Sequence, residues 1–175
     1  MKLNTRDLCR IALLSALIAV CAQIAFPLPG GVPFTLQTFG VHLAGLLLGA
    51  KKGTTAVVVY LFLGLTGAPV FAQMRGGLGV FVGPTGGFLW TFPLMAWLTG
   101  TFNRSRPALV AAMLGGTVIN FAGGLLFFMH LTGNTFRAAF MATTLPFLGT
   151  TAATLVVLAV CAPRLKKLVS RKDLR

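Results

Sequence analysis

Residues 11–50 read IALLSALIAV CAQIAFPLPG GVPFTLQTFG VHLAGLLLGA, forty consecutive positions without a Lys, Arg, Asp or Glu. A helix that crosses a hydrocarbon core of about 30 Å needs about 20 apolar residues, so this stretch is long enough for two crossings. Its middle carries Pro27, Pro29, Gly30, Gly31 and Pro33, where an α-helix cannot continue because proline lacks the amide proton and clashes with the preceding turn. The stretch therefore predicts two membrane helices joined by an outer loop. That reading decides the fold class, an all-α membrane protein.

Working outward, the same pattern recurs. Charge-free tracts run over residues 53–74, 76–103, 107–136 and 138–163, each sized for one span, so the whole chain predicts a six-transmembrane-helix bundle. The spans are placed at about 8–26, 35–50, 54–67, 86–102, 108–130 and 138–162. At 175 residues and 56 % hydrophobic composition the chain is expected to be a single integral membrane domain over 1–175. The basic start followed by an apolar run resembles a signal peptide, but 8–26 is long enough to span and is read as an uncleaved first helix.

The fifteen basic residues set the orientation. With the N-terminus in the cytoplasm, Lys2, Arg6, Arg10, Lys51, Lys52, Arg104, Arg106, Arg164, Lys166, Lys167, Arg171, Lys172 and Arg175 fall inside, and only Arg75 and Arg137 fall outside. This is the positive-inside bias of short loops. It predicts both termini inside, Lys51–Gly53 and Asn103–Pro107 as inner turns, and a multi-pass protein of the bacterial cell (inner) membrane. The net charge of +13 then belongs to helix ends near anionic headgroups, and nucleic acid is not an expected partner.

Between spans 3 and 4 the segment 64–87 interleaves Gly64, Gly67, Gly76, Gly77, Gly79, Gly83, Gly86 and Gly87 with Val70, Phe71, Leu78, Val80, Phe81 and Val82. Irregular apolar backbone at membrane depth is tolerated where it is buried in protein or lines a cavity. The segment is therefore read as a glycine-rich outer lid whose amides contact a ligand, while Gly45 and Gly49 are read as packing positions.

Several chemistries are excluded. The only carboxylates are Asp7 and Asp173, in the tails, so an intramembrane acidic relay is missing. No Gly-Lys dipeptide occurs, which removes a phosphate-binding loop of the Walker type. Cys9, Cys21 and Cys161 show no metal-ligand or disulfide spacing. His42 and His130 lack ligand partners, and interhelical hydrogen bonding is the reading for them. Ser15, Ser105 and Ser170 have no base beside them. No enzyme, metal or cofactor is expected, and transport would need energy from another protein.

Three stretches together resemble the BioY family, the biotin-binding membrane subunits of energy-coupling-factor (ECF) transporters. They are Pro29-Gly30-Gly31-Val32-Pro33-Phe34-Thr35-Leu36-Gln37-Thr38; Gly64 through Pro69-Val70-Phe71 with Gly76-Gly77-Leu78-Gly79 and Gly83-Pro84-Thr85-Gly86-Gly87-Phe88-Leu89; and Ala12-x-x-x-Ala16. The resemblance implies a vitamin bound near the outer face, under the loops after spans 1 and 3. It also implies docking of the Ala12/Ala16 face on a transmembrane coupling subunit, itself joined to two cytoplasmic ATPases. Where many members read Pro-Phe-x-Pro-Gly-Asp-x-x-Lys, this chain reads Pro146-Phe147-Leu148-Gly149-Thr150-Thr151-Ala152-Ala153-Thr154, so Thr151 and Thr154 replace an acid and a lysine. Asn120 stands where a tyrosine is frequent.

The expected substrate-binding set is Thr35, Gln37, Arg75, Gly83, Thr85, Gly86, Gly87, Asn120, Thr151 and Thr154. Of the two outer cations, Arg75 rather than Arg137 is assigned to a ligand carboxylate. The alternatives are a same-fold subunit for another small vitamin or lipoyl-like molecule, and a structural or assembly membrane protein that does not bind.

Overall fold

A computed structural model describes residues 4–27, 31–103 and 105–173, with side chains described as far as Lys167. Lys2, Pro29, Gly30, Arg104 and Arg175, all used above, lie outside these residues, as do the side chains of Ser170, Arg171, Lys172 and Asp173. The chain is mainly helical: α1 (Thr5–Gln23), a two-stranded hairpin of β1 (Ala25–Phe26) and β2 (Phe34–Thr35), α2 (Gln37–Leu65), α3 (Leu78–Val82), α4 (Gly86–Thr101), α5 (Arg106–Thr132), α6 (Phe136–Thr143) and α7 (Leu148–Asp173). Among the described residues, Gln37–Leu65, Arg106–Thr132 and Phe136–Lys167 are long and apolar enough to cross a membrane. Leu13, Trp90, Val118, Leu126, Val156 and Val160 are all exposed, a perimeter suited to an apolar solvent rather than to water.

Three expectations are corrected. The first concerns the turn placed at Lys51–Gly53. Helix continues through those residues, and the break lies at Gly49, whose φ of 76° and ψ of 179° interrupt α2. Such a backbone suits glycine because no Cβ meets the carbonyl. The second concerns the plain loop expected over 27–34 between helices at about 8–26 and 35–50. Helix α1 ends at Gln23 and α2 begins at Gln37, and between them Ala25 pairs with Thr35 and Phe26 with Phe34 as an antiparallel ladder. The third concerns the single helix expected over 138–162. Pro146 cannot donate to a helical ladder, and the chain forms α6, a 3-10 turn at Leu145–Phe147, and then α7.

Helix α1 starts on a cap, Asn4 accepting the Asp7 amide at 2.9 Å. It runs beside the second half of α2. Asp7 pairs with Lys52 at 2.6 Å, the Ser15 hydroxyl reaches the Ala56 carbonyl at 2.7 Å, and Gln23 reaches the Phe71 carbonyl at 3.0 Å. Because 7 and 15 rise in step with 52 and 56, the two helices are parallel, and Gln23 reaches the chain beyond the end of α2. At the basic end, Asn103 donates to the Leu46 carbonyl at 3.2 Å and Lys166 donates to the Asn103 carbonyl. These bonds gather the first turn of α1, the α2 break, the end of α4 and the lower part of α7 together.

The core is sealed by close approach. A Cβ on Gly87 would lie 2.5 Å from the Gly123 carbonyl oxygen and 2.5 Å from the Phe127 Cβ, so α4 and α5 meet backbone to backbone. One on Gly45 would strike the Ala96 carbonyl, which fits Gly45 to packing, whereas Gly49 has open space around it and serves the break instead. His42 bridges three helices, Nδ1 lying 2.8 Å from the Thr99 hydroxyl and Nε2 3.2 Å from that of Thr117. Since Thr99 gives its proton to the Met95 carbonyl, Nδ1 donates to the Thr99 oxygen, and both ring nitrogens have partners.

Candidate functional site

At the end of the bundle away from these basic contacts the hairpin, the 66–85 segment and the α6–α7 bend surround a pocket of about 760 Å³, its open mouth included. Sites for small molecules are concave, mostly apolar and carry a few placed polar groups. The walls come from Val32, Pro33, Phe71, Val80, Phe88, Leu89, Phe92, Phe121 and Phe147, and the polar positions are Thr35, Gln37, Thr38, Arg75, Thr85, Asn120, Thr150 and Thr151. Six residues singled out from sequence, Thr35, Gln37, Arg75, Thr85, Asn120 and Thr151, therefore converge on one cavity from five separate stretches of chain.

The other four do not line it. Gly83 borders an adjoining hollow that shares Arg75, Val80 and Thr85 with the main cavity. Gly86 and Gly87 are buried, with Phe81 and the Gly123–Phe127 stretch of α5 against them. Their lack of a side chain serves helix packing, and neither is among the residues that line the cavity. Thr154 is buried one turn beyond Thr151 and outside the lining. Arg137 is exposed and also outside it.

The polar floor is built by side chains that hold one another. Gln37 donates to the Tyr60 hydroxyl at 2.6 Å and accepts from the Thr35 hydroxyl at 2.9 Å, so its amide is held at both ends. Asn120 donates both amide protons, to the Phe88 carbonyl at 2.9 Å and to the Thr91 hydroxyl at 2.7 Å. A carbonyl can only accept, so the nitrogen must face Phe88. Oδ1 is left as an acceptor with no donor among the described residues.

An aromatic ladder carries the outer wall. Tyr60, Phe71, Phe81 and Trp90 contact edge to face in sequence, with centroids 5.5, 5.4 and 5.4 Å apart, the arrangement ring quadrupoles favour. On the far side Phe34 of β2 stacks on Phe147 at 5.8 Å. Arg75 stands at the rim, exposed, with no ion pair or side-chain hydrogen bond among the described residues. The α1 residues Ala12 and Ala16 lie elsewhere, on an outward face with Leu8, Leu13 and Val20.

Sequence reasoning passed over Gln23, Tyr60, Thr91, Phe92 and Phe121. Phe88 and Phe92 share a helix face at i, i+4 and Asn120 adjoins Phe121, so those two were within reach of a periodicity argument. Tyr60 and Gln23 act through contacts distant in sequence and left no local signal.

A helical bundle with its perimeter apolar and a polar-floored pocket near one end defines a membrane-embedded small-molecule binding protein. The chain matches the BioY family over residues 1–171 and belongs to it. It is 42 % identical over 166 residues to the biotin transporter BioY of Thermotoga maritima, covering 93 % of this chain and 97 % of that one. It is 37 % identical over 146 residues to a probable biotin transporter BioY of Pyrococcus horikoshii, 83 % and 87 % of the two chains. With the biotin transporter BioY of Rhodobacter capsulatus it shares 45 % over 131 residues, 70 % and 69 % of the two. The fold superposes with a TM-score of 0.86 at 24 % identity, over 95 % of both chains, on the crystal structure of the biotin S-component of an ECF-type ABC transporter.

Proposed function

We propose that this protein is a biotin-binding transmembrane subunit that mediates biotin uptake and is energised by a separate ECF-type module, a coupling subunit with two cytoplasmic ATPases. Relatives named as biotin transporters over nearly the full length support the substrate. The chain crosses the cell (inner) membrane six times as one domain over residues 1–175, the two halves of α2 counting as two spans, with both ends cytoplasmic and the 66–85 segment as an outer lid.

The observation that carries the reading is the pairing of a neutral hydrogen-bonding floor with one cation at the rim. Biotin has a ureido ring with two N–H donors and one carbonyl, and a valerate carboxylate that is costly to bury unpaired. Asn120 Oδ1 and Gln37 Oε1 accept the N–H groups, while the Thr151 hydroxyl donates to the ureido carbonyl. The phenylalanines enclose the apolar rings and chain, Thr35 and Thr85 complete the polar lining, and Arg75 meets the carboxylate. A lipoyl ligand would satisfy Arg75 but leave the acceptors of the floor unmatched, which favours biotin.

Thermal unfolding of the detergent-purified protein, titrated with biotin, desthiobiotin and lipoate, tests this. A ligand that binds only the folded state adds about 2.7 kcal/mol at one hundred times its Kd. Biotin and desthiobiotin, which share the ureido group, should raise the midpoint well above lipoate. An equal or larger shift with lipoate would reject the assignment.

A further inference from the structure

We infer that Gln23 is a positioning residue for ligand capture: the last residue of α1 clamps the turn that presents Arg75, and so sets affinity for the ligand's carboxylate without touching the ligand. This rests on the assignment of Arg75 above. The turn runs from Phe71 to Arg75, which are bridged as a minimal hairpin by the Phe71 N–H donating to the Arg75 carbonyl at 2.9 Å. Between them Gln73 and Met74 both hold positive φ, 60° and 57°. Side-chain-bearing residues rarely adopt that conformation, and it persists where surrounding contacts over-determine it. Neither residue is glycine, so the turn does not favour its own shape.

The Gln23 amide supplies what the local sequence lacks. Its Nε2 donates to the Phe71 carbonyl at 3.0 Å and its Oε1 accepts from the Met74 N–H at 3.0 Å. One planar group thus grips both sides of the turn, and α1, tied to α2 at Asp7 and Ser15, is the rigid base. Phe71, Ala72 and Arg75 line the cavity while Gln23 does not. The guanidinium itself has no partner among the described residues, so its placement depends on the backbone that carries it.

The test compares biotin with biotinamide, the same molecule with an uncharged end, on the detergent-purified full chain by calorimetry. Gln23→Met keeps the shape of the side chain and removes both hydrogen bonds to the turn, together with a longer one to the Ala19 carbonyl at 3.4 Å. It should weaken biotin about three- to tenfold and leave biotinamide within about twofold. A rescue follows from turn chemistry, because two consecutive positive φ values are what Asn-Gly adopts readily. Adding Gln73→Asn and Met74→Gly to the Gln23→Met protein should bring biotin back to within about twofold of the unsubstituted chain.

Equal weakening of both ligands with no rescue would make Gln23 a general structural contact and overturn the proposal. Unchanged biotin affinity in Gln23→Met would overturn it too. Arg75→Ala separates the two layers. If that variant loses biotin selectively while Gln23→Met does not, the clamp fails and the Arg75 assignment stands; if Arg75→Ala does not discriminate the ligands, the assignment fails and takes the clamp with it.

Discussion

Replacing Asn120 by Leu removes one polar group at the centre of the cavity floor with little change in side-chain size, and its two consequences can be measured separately. The first is on the free protein. Asn120 is 1 % exposed and gives two hydrogen bonds, to the Phe88 carbonyl and the Thr91 hydroxyl. Each such bond contributes about 0.5–1.5 kcal/mol net, so their loss lowers stability by about 1–3 kcal/mol. The loss stays near the lower end because Thr91 keeps its one hydroxyl proton within reach of the Gly87 and Phe88 carbonyls and is not left unpaired.

The second consequence is on the ligand. Leucine offers no acceptor in place of Oδ1, so one ureido N–H would be buried without a partner, a loss of about 1–3 kcal/mol or about five- to 150-fold in affinity. Calorimetric titration with biotin and lipoate reads it directly: biotin falls by that factor, and lipoate, which has no ureido group, holds or improves. Undiminished biotin affinity in a folded Asn120→Leu protein would remove Asn120 from the site. A parallel fall for lipoate would show that the substitution deforms the cavity instead of deleting one contact.

Further outcomes follow from other parts of the fold. Arg75→Ala should weaken biotin about ten- to a hundredfold, the value of a charge-assisted hydrogen bond, and barely change biotinamide; Arg137→Ala, outside the lining, should change neither. Leu at both Ala12 and Ala16 should reduce co-purification with a transmembrane coupling subunit while biotin binding persists, because close helix approach depends on small side chains; undiminished co-purification would remove this face. Single cysteines replacing Arg75 and Arg137, in a background lacking the native three, should label from outside and one replacing Lys51 should not, labelling of Lys51 from outside being the result that inverts the topology. The hydrogen bond from Lys52 holds the Asp7 carboxyl below its ordinary value of 3.8, so its contribution to stability is fully present above that pH and is lost as pH falls through the lower folded value. The thermal midpoints of the unsubstituted chain and Asp7→Asn should accordingly differ at pH 6 and converge on acidification; a gap that persists to the acid limit would refute this.

The gross plan was readable because the hydrocarbon core imposes it. Charge cannot sit in the apolar layer at low cost, so the spacing of the basic residues and the prolines near 27–33 marked where helices could lie. The same logic misplaced the α2 break, since Lys51 and Lys52 read as a turn. Lysine stems can lie along a helix end while their ammonium groups reach water or a carboxylate, and Lys52 does so against Asp7. The actual break needed only one glycine without a side chain. Proline alone does not mark a break here, since Pro93 and Pro163 sit inside α4 and α7; at Pro146, by contrast, the missing amide proton coincides with the turn between α6 and α7.

The cavity shows a sharper division. Thr35, Gln37, Thr85, Asn120 and Thr151 could be named because they stand in, or in place of, motif positions of the family the chain resembles, and Arg75 because it is one of only two basic residues on the expected outer side. Glycines are not informative in the same way. Gly83, Gly86 and Gly87 sit in one run, but only the neighbours supplied by α3 and α5 show that Gly86 and Gly87 serve packing. The residues that hold the site in shape were the least legible: Tyr60 orients Gln37 across 23 positions, Thr91 orients Asn120 across 29, and Gln23 reaches Met74 across 51. Each is an ordinary polar side chain whose meaning lies in one distant partner. A relative with a different ligand could therefore keep the helices, the charge pattern and the loops, and differ in those pairs. On the function proposed above, ligand choice would rest on the few polar cavity positions and the contacts that aim them, while the membrane dictates nearly everything else.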